Sequence, residues 1–132
     1  MSYFEDVVRW HRLMKLPVCE EGGQMDADLD SESVRMGIKL IKEEYEELLR
    51  DWEAKDLLGV ADNTGDLVWV LCGLMARMGV DLDKVWEGIR VANTAKLGGP
   101  IREDGKLMKP PGWKPPDTRQ DILDGRFLED VA

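Results

Sequence analysis

Two stretches decide the fold: residues 41–49, IKEEYEELL, and residues 60–71, VADNTGDLVWVL. In each stretch, acidic or amide side chains interrupt a helical pattern of apolar residues. At about 100° per residue, Glu44 and Glu47 project about 60° apart at the edge of an apolar helix face. The polar side chains of the second stretch that fall within one arc of about 100° are Asp62, Asn63 and Asp66. The pattern, with the short connection between the stretches at residues 54–55, predicts two neighbouring antiparallel helices whose acidic clusters face each other.

Carboxylates that face one another across a helix pair repel, and they lose hydration when they are buried. A hard divalent cation relieves both costs, because Mg²⁺ and Mn²⁺ prefer oxygen ligands. The competing interpretation is an exposed charged helix with i,i+4 ion pairs, which accounts well for Glu46 and partly for Glu43. It accounts poorly for Asp62 and Asp66, which interrupt a helix otherwise too apolar to face water. The residues therefore favour a metal site.

The apolar periodicity predicts four helices, over about residues 3–15, 33–52, 57–78 and 82–97. The signals that begin or end helices are Ser2 with Glu5, Asp56 and Gly79. The helix over 57–78 is apolar on nearly all sides and should be central and buried, and its Gly65 and Gly73 suggest close approach by a neighbour or a ligand. Prolines forbid a long helix beyond residue 98, so this arm is expected to be extended, with one turn at residues 103–105. We expect one all-α domain over residues 1–132, a bundle of about four helices with an extended Pro-rich arm over 98–132.

Composition narrows the class of partner and the cellular location. The net charge of −9 argues against a nucleic-acid polymer as the main partner. Residues 96–119 are basic by contrast, which suits either phosphate binding or a solvated tail. No stretch resembles a signal peptide or a membrane span, and Cys19 and Cys72 match no metal or redox spacing, so we expect a cytoplasmic protein that binds no membrane. The single histidine, His11, excludes di-iron and histidine-rich zinc sites and is expected to pack in the core.

The acidic clusters resemble the all-α nucleoside triphosphate pyrophosphatase superfamily, which includes MazG-like proteins, dimeric dUTPases and phosphoribosyl-ATP pyrophosphohydrolases. Its Glu-Glu-x-x-Glu matches EEYEE at residues 43–47, and its Glu-x-x-Asp matches NTGD at residues 63–66. Asn63 stands where the superfamily has Glu, and Asp62 is an alternative source of that carboxylate. The resemblance extends to RWHR at 9–12, LPV at 16–18, NTAK at 93–96, DGK at 104–106, Lys109 and the Pro-Pro-Asp that ends at Asp117.

The resemblance implies Mg²⁺-dependent hydrolysis of a nucleoside triphosphate between its α- and β-phosphates, with Mn²⁺ as an alternative ion. It implies that Glu44, Glu47 and Asp66 hold the metal, that the fourth ligand is Asp62 or Asn63, and that Glu43 is a further ligand or orients the attacking water. The residues that it assigns to substrate binding are Asn93, Lys96, Lys106 and Lys109.

The resemblance also implies a homodimer or homotetramer, an assembly that the five tryptophans favour because a small bundle cannot easily bury them all. We expect a deoxynucleoside triphosphate as substrate rather than phosphoribosyl-ATP. A non-catalytic helical module that binds metal, nucleotide or a partner protein is the competing interpretation, and Asn63 is the residue that favours it.

Overall fold

The computed structural model describes residues 1–19 and 28–113. The described residues contain four α-helices: α1 (Tyr3–Met14), α2 (Glu32–Glu53), α3 (Leu57–Met78) and α4 (Leu82–Thr94). The predicted all-α class is confirmed. The predicted bounds of α3 match, and the largest difference is at α4, which ends three residues earlier than predicted. The part of the arm after residue 113 lies outside the described residues.

Short side chains begin the first three helices by accepting a hydrogen bond from a free backbone N–H. Ser2 Oγ accepts from Glu5 N at 3.0 Å, and Asp56 Oδ1 accepts from Gly59 N at 3.0 Å. Ser31 caps α2 in the same way, so this helix begins one residue before its predicted start. Gly79 ends α3 in the left-handed region at φ 73°, which glycine adopts without strain. The predicted caps at Ser2, Asp56 and Gly79 are confirmed.

Within residues 1–82, α2 and α3 pack antiparallel, as predicted. At one end of the pair, Arg77 of α3 donates to the Ser33 carbonyl oxygen of α2 at 3.3 Å. At the other end, Asn63 of α3 donates to Asp51 of α2. A Cβ at Gly37 would lie only 3.0 Å from Leu74 Cδ1, so this glycine permits close approach of the two helices. The antiparallel pair is the frame on which both acidic clusters are carried.

Helix α1 packs on another side of α3 and forms the core there. The fully or nearly buried residues of this core are Phe4, Val7, Val8, Cys72 and Ala76. The His11 ring approaches α3 closely, because a Cβ at Gly73 would lie 3.1 Å from His11 Nε2. The prediction that Gly73 admits a close neighbour is confirmed. A Cβ at Gly65 would have no described atom within 4 Å, so no neighbour accounts for that glycine.

The prediction that α3 is central and buried is wrong for the first turn of the helix and for part of its second half. Leu57 and Leu58 are 80% and 81% exposed, and Trp69 is 39% exposed. The physical reason is that, among the described residues of the first unit, α3 packs against α2 and α1 on two sides and its remaining side is not covered by a helix. Helix α3 is also long and apolar enough to cross a membrane by length and composition, with a mean hydropathy of 1.3, so the prediction that no stretch resembles a membrane span does not hold for this helix. Mostly buried core helices of soluble proteins pass the same test, and 17% of this stretch is buried.

The chain divides into two compact units, and the second begins at Asp83. After α4, backbone hydrogen bonds pair residues 100–102 with 106–108, including Arg102 N to Lys106 O at 2.7 Å. The turn between them has Gly105 at φ 90°, and Arg102 forms a two-pronged ion pair with Asp104. This is the turn that the sequence predicts at residues 103–105. The interpretation of residues 1–132 as a single domain stays a prediction.

Candidate functional site

The acidic residues of α2 and α3 meet at the packed side of the helix pair. Glu44 and Glu47 lie one turn apart on α2, and Asp66 lies on the part of α3 that runs past them. Glu44 is half-buried, whereas Glu47 and Asp66 are exposed. The pKa of the Glu44 carboxyl is raised by burial first, then by the negative charges of Glu47 and Asp66, by a side-chain hydrogen bond with Glu47, and by the charge of Glu43. The structure therefore brings four of the predicted carboxylates into one electrostatic neighbourhood.

One atom of this group has no partner. Glu44 Oε2 is buried and accepts no hydrogen bond from any described residue. A buried acceptor that is left unpaired costs about 1–3 kcal/mol, and more when it carries charge. An atom in this condition, beside carboxylates of the same charge, has the environment in which a bound cation is stabilising.

The carboxylates lie near one another but do not form a complete metal-coordination site. Within residues 1–19 and 28–113, no three His, Cys, Asp or Glu side chains stand close enough to hold a metal ion as they are. The donor atoms nevertheless fit Mg²⁺, because they are all carboxylate oxygens and one is buried without a partner. The exposed side chains of Glu47 and Asp66 retain the rotamer freedom that closing around an ion requires.

The two candidates for the fourth ligand, Asp62 and Asn63, have different surroundings. Asp62 is exposed, and its charge is not among those that raise the pKa of Glu44. Asn63 is 6% exposed and donates from Nδ2 to Asp51 Oδ2 at 2.6 Å. Asp51 is a partner that the sequence reasoning missed. Its proximity gives a physical reason for an amide at position 63, since a glutamate there would place a second carboxylate against Asp51.

Gly59 belongs to the same end of the helix pair. A Cβ at this position would overlap the Asp51 carboxylate, so glycine leaves room for the acceptor that Asn63 uses. The sequence does contain a signal for Asp51. Glu47 and Asp51 are four residues apart and therefore lie on the same face of α2.

His11 is a packing residue, as predicted. It is 3% exposed, and its Nδ1 lies 3.0 Å from the Pro17 carbonyl oxygen. Burial lowers the pKa of His11, and the nearby Arg77 charge lowers it further, while the hydrogen bond to Pro17 acts in the opposite direction. Its ring also meets the Trp10 ring edge-on at 5.5 Å. These contacts account for the histidine without a catalytic role.

In the second unit, two of the four predicted substrate-binding residues lie over the ring of one tryptophan that the sequence reasoning did not assign to the site, and a third lies beside one of them. Lys109 Nζ lies 4.7 Å and Lys96 Nζ 5.9 Å from the centre of the Trp113 ring. Lys96 Nζ also lies 3.4 Å from Asn93 Oδ1. The fourth residue, Lys106, lies after the turn, where its backbone N–H donates to Asp104. The tryptophan holds two ammonium groups through cation–π contacts.

The Trp113 indole adds a second unpaired polar atom to this cluster. Its Nε1–H is buried and has no hydrogen-bond partner among the described residues. Two ammonium groups and one free indole donor form a local array of donors without an acceptor of their own, apart from the Asn93 amide oxygen. The signal in the sequence is the run PPGW at residues 110–113, in which a tryptophan follows a tight turn with Gly112 at φ 77°.

A family model described as phosphoribosyl-ATP pyrophosphohydrolase matches residues 7–93. The chain belongs to this family. The family is part of the all-α MazG-like nucleotide pyrophosphatase superfamily, so the resemblance seen in the acidic motifs is confirmed. The match indicates a nucleotide pyrophosphohydrolase. It spans both acidic clusters and Asn93, and it ends before the three lysines. No curated protein gives a significant match to the chain.

Proposed function

We propose that this member of the phosphoribosyl-ATP pyrophosphohydrolase family hydrolyses deoxynucleoside triphosphates to a monophosphate and pyrophosphate, with Mg²⁺ as its metal. The single observation that carries the proposal is the buried, unpartnered Glu44 Oε2 among the charges of Glu47, Asp66 and Glu43. A solvated helix face gives no reason to bury a carboxylate oxygen beside like charges, whereas a site for a divalent cation does.

In this proposal Glu44, Glu47 and Asp66 hold the ion, and Mn²⁺ can replace Mg²⁺. Glu43, which is exposed beside this group, orients the attacking water or completes the ligand set. Mg²⁺ supplies neutralisation of phosphate charge and a lowered pKa of the attacking water. Asp62 and Asn63 are both candidates for a further ligand: Asp62 offers an exposed carboxylate, and Asn63 donates from its amide Nδ2 to Asp51, which leaves its Oδ1 free to coordinate.

Phosphate oxygens are the acceptors proposed for the cations of the second unit. Lys96 and Lys109 lie at the Trp113 ring, with Asn93 beside Lys96. Charge-assisted bonds from ammonium groups to phosphate are short and strong, and an indole N–H is a further donor. We assign Lys106 to the same role on the sequence pattern alone.

Three observations bear on the choice of substrate. The matched family is named for phosphoribosyl-ATP, which makes that nucleotide the second candidate substrate. The lysine-bearing segment lies after the matched residues, and its basic side chains suit the charge of a triphosphate. A third possibility is a module that binds nucleotide without hydrolysing it. Asn63 favours this possibility, because it stands where the superfamily has a carboxylate and its amide donates to Asp51.

The decisive experiment is pyrophosphate release from dUTP, dCTP, dTTP, dATP, dGTP and phosphoribosyl-ATP, each with Mg²⁺, with Mn²⁺ and with a chelator. We expect metal-dependent release from at least one deoxynucleotide. Glu47→Ala and Asp66→Ala should abolish release while circular dichroism shows unchanged helicity. Glu46→Ala is the matched control, because Glu46 is on the same helix but is exposed and paired with Lys42 at 3.9 Å.

Three outcomes of this experiment count against the proposal. Turnover of phosphoribosyl-ATP alone would establish the second candidate. Nucleotide binding without release under any condition would establish the binding module. If Glu47→Ala or Asp66→Ala turned over substrate as fast as the wild type, the replaced carboxylate would not be part of the metal site.

We also propose that the protein works as a homodimer or homotetramer in the cytoplasm. Helix α2 exposes a stripe of large apolar side chains at one-turn and two-turn spacing: Ile38, Tyr45, Leu49 and Trp52. Contiguous exposed apolar surface of this kind is typical of protein interfaces. Cys19 and Cys72 form no disulfide among the described residues, which agrees with the reducing cytoplasm proposed here.

The assembly is tested by sedimentation of the wild type and of Trp52→Glu at micromolar concentration. We expect a dimer or tetramer for the wild type and a smaller species for the variant, since Trp52 is 66% exposed in the single chain. A monomeric wild type would overturn this part of the proposal. Association of the wild type with lipid vesicles would instead assign the apolar stripe to a membrane.

A further inference from the structure

Trp113 carries a polar group for which the described fold provides no partner. Its Nε1–H is buried and donates to no described residue, although buried indole N–H groups usually find an acceptor. The backbone of the same residue is satisfied, since its N–H donates to the Pro110 carbonyl oxygen at 3.1 Å. The turn before Trp113 therefore positions the indole and leaves its side-chain donor unused.

The second unit brings two lysines from different segments to this indole. Lys96 follows the C-terminal end of α4, and Lys109 follows the hydrogen-bonded turn that comes after it. A Cβ at Gly99 would overlap the Met108 carbonyl oxygen, so glycine allows the two segments to approach each other. As a result, both ammonium groups lie within 6 Å of the centre of the Trp113 ring.

No carboxylate of the described residues pairs with either ammonium group. The arginines of this unit pair with nearby acids instead, in the pairs Arg90–Glu87 and Arg102–Asp104. Lys96 has only an amide acceptor, Asn93 Oδ1 at 3.4 Å, and Lys109 has the face of the ring. A cation–π contact at an exposed site is weak, and it leaves the N–H donors of an ammonium group without an acceptor.

Three donors therefore meet at one ring without an anion: two ammonium groups and the indole N–H. An oxyanion is the ligand that such a group binds, because it supplies both the acceptors and the opposite charge. Phosphate suits these donors better than a carboxylate does, since it presents three strong acceptor oxygens in different directions. A chain of phosphates adds charge and further acceptors. The net charge of −9 disfavours a nucleic-acid polymer as the source of the phosphate.

The lysines are able to follow such a ligand. Lys109 is exposed and Lys96 is half-buried. Each ammonium group ends a flexible four-carbon stem, so an arriving anion can draw it from the face of the ring. The indole is also half-buried, and its N–H gains in the anion the acceptor that the described residues do not supply.

We infer that Trp113 is a phosphate-recognition residue, whose indole N–H donates to an oxygen of a polyphosphate group while Lys96 and Lys109 neutralise its charge. The cluster binds this group by itself, without a metal and without the carboxylates of α2 and α3. Only the identity of the natural ligand, a nucleoside triphosphate, rests on the proposed function. The competing role of Trp113 is structural, as a ring that fixes the arm through its cation–π contacts.

The test is a titration of the full-length protein with inorganic pyrophosphate, in EDTA and at constant ionic strength. The indole N–H resonance of Trp113, assigned from its absence in Trp113→Phe, is followed by NMR. We expect a saturable shift of this resonance. Affinity should rise from inorganic phosphate to pyrophosphate to inorganic triphosphate, because each step adds charge and acceptors.

Trp113→Phe separates the two roles of the indole, because phenylalanine keeps an aromatic face for the lysines and lacks the N–H donor. This variant should bind pyrophosphate about tenfold or more weakly in calorimetry, since one hydrogen bond to a charged group is lost. Trp113→Leu removes the ring as well and should bind no better than Trp113→Phe. Trp86→Phe is the matched control, because it makes the same change at a tryptophan of the same unit that is 61% exposed, and it should bind like the wild type.

The absence of a Trp113 shift with millimolar pyrophosphate would overturn the inference, and this result needs no variant to fold. Equal pyrophosphate affinity in the wild type and Trp113→Phe would leave the ring with the structural role alone. Equal affinity for malonate, a dicarboxylate, would overturn the assignment to phosphate. Since the titration needs neither metal nor turnover, a failure to release pyrophosphate from nucleotides would count against the proposed reaction and leave the Trp113 result unchanged.

Discussion

Replacing Glu44 by glutamine should make the metal-free protein more stable. The wild-type side chain buries Oε2 without a partner, which costs about 1–3 kcal/mol or more for a charged group. Glu44→Gln removes the charge that Glu47, Asp66 and Glu43 repel, and its amide N–H can donate to those carboxylates. We expect the free energy of unfolding in EDTA to rise by about 1–3 kcal/mol. For a chain of this length, each kcal/mol raises Tm by roughly 3–6 °C.

Mg²⁺ should reverse the order of the two proteins. A ligand at 100 times its Kd stabilises the native state by about 2.7 kcal/mol, and the wild type should gain this amount. Glu44→Gln lacks one anionic ligand and should gain much less. The measurement is calorimetry at fixed protein concentration, in EDTA and across a Mg²⁺ titration, so that assembly does not change between samples.

Glu46→Gln is the control for Glu44→Gln. Glu46 is exposed and pairs with Lys42 at 3.9 Å, so the change should be within about 0.5 kcal/mol with or without Mg²⁺. The reasoning is refuted if Glu44→Gln is less stable than the wild type in EDTA, or if both proteins gain equally from Mg²⁺. The first result would mean that the buried carboxylate oxygen does not destabilise the metal-free protein, and the second would mean that this oxygen is not a cation ligand.

Three further predictions concern pH, the amide at position 63 and the number of phosphates. Burial and Arg77 lower the pKa of His11, so below about pH 6.5 the unfolded chain binds a proton that the folded chain does not bind. The free energy of unfolding should therefore fall by up to about 1.4 kcal/mol per pH unit as the pH drops below about 6.5. His11→Gln should flatten this slope, which is measured by urea titrations at several pH values. Asn63→Ala should cost about 1–3 kcal/mol, because Asp51 loses its 2.6 Å donor, and Asp51→Asn should lessen the cost of Asn63→Glu. Nucleoside diphosphates should have a kcat/KM about tenfold or more below that of triphosphates, and Lys109→Ala should narrow that ratio if one charged contact is lost.

Each of these predictions has an outcome that contradicts it. An unchanged slope between pH 5 and 6.5 in His11→Gln would show that the histidine is not the titrating group. Additive costs for the changes at positions 51 and 63 would show that the two side chains do not interact. Equal turnover of nucleoside di- and triphosphates would show that Lys109 does not discriminate between them.

The sequence by itself determined the helices and the family. Periodicity and capping residues are local properties of the chain, so the bounds of α3 and the caps at Ser2, Asp56 and Gly79 could be predicted from it. The acidic motifs could also be found, because the i,i+3 and i,i+4 spacings place their side chains on one helix face wherever the helix lies. The antiparallel pairing of α2 and α3 followed from their short connection.

Only the tertiary structure decided what each polar side chain faces. The partner of Asn63 is Asp51, twelve residues away, and no spacing rule within one helix could select it. The contact of Lys96 with Trp113, seventeen residues later, likewise depends on the turns that fold the arm back, whereas Lys109 is only four residues from Trp113. The open space at Gly65 and the close contact at Gly73 read alike in the sequence. They differ because α1 brings His11 against the second glycine and leaves a cavity beside the first.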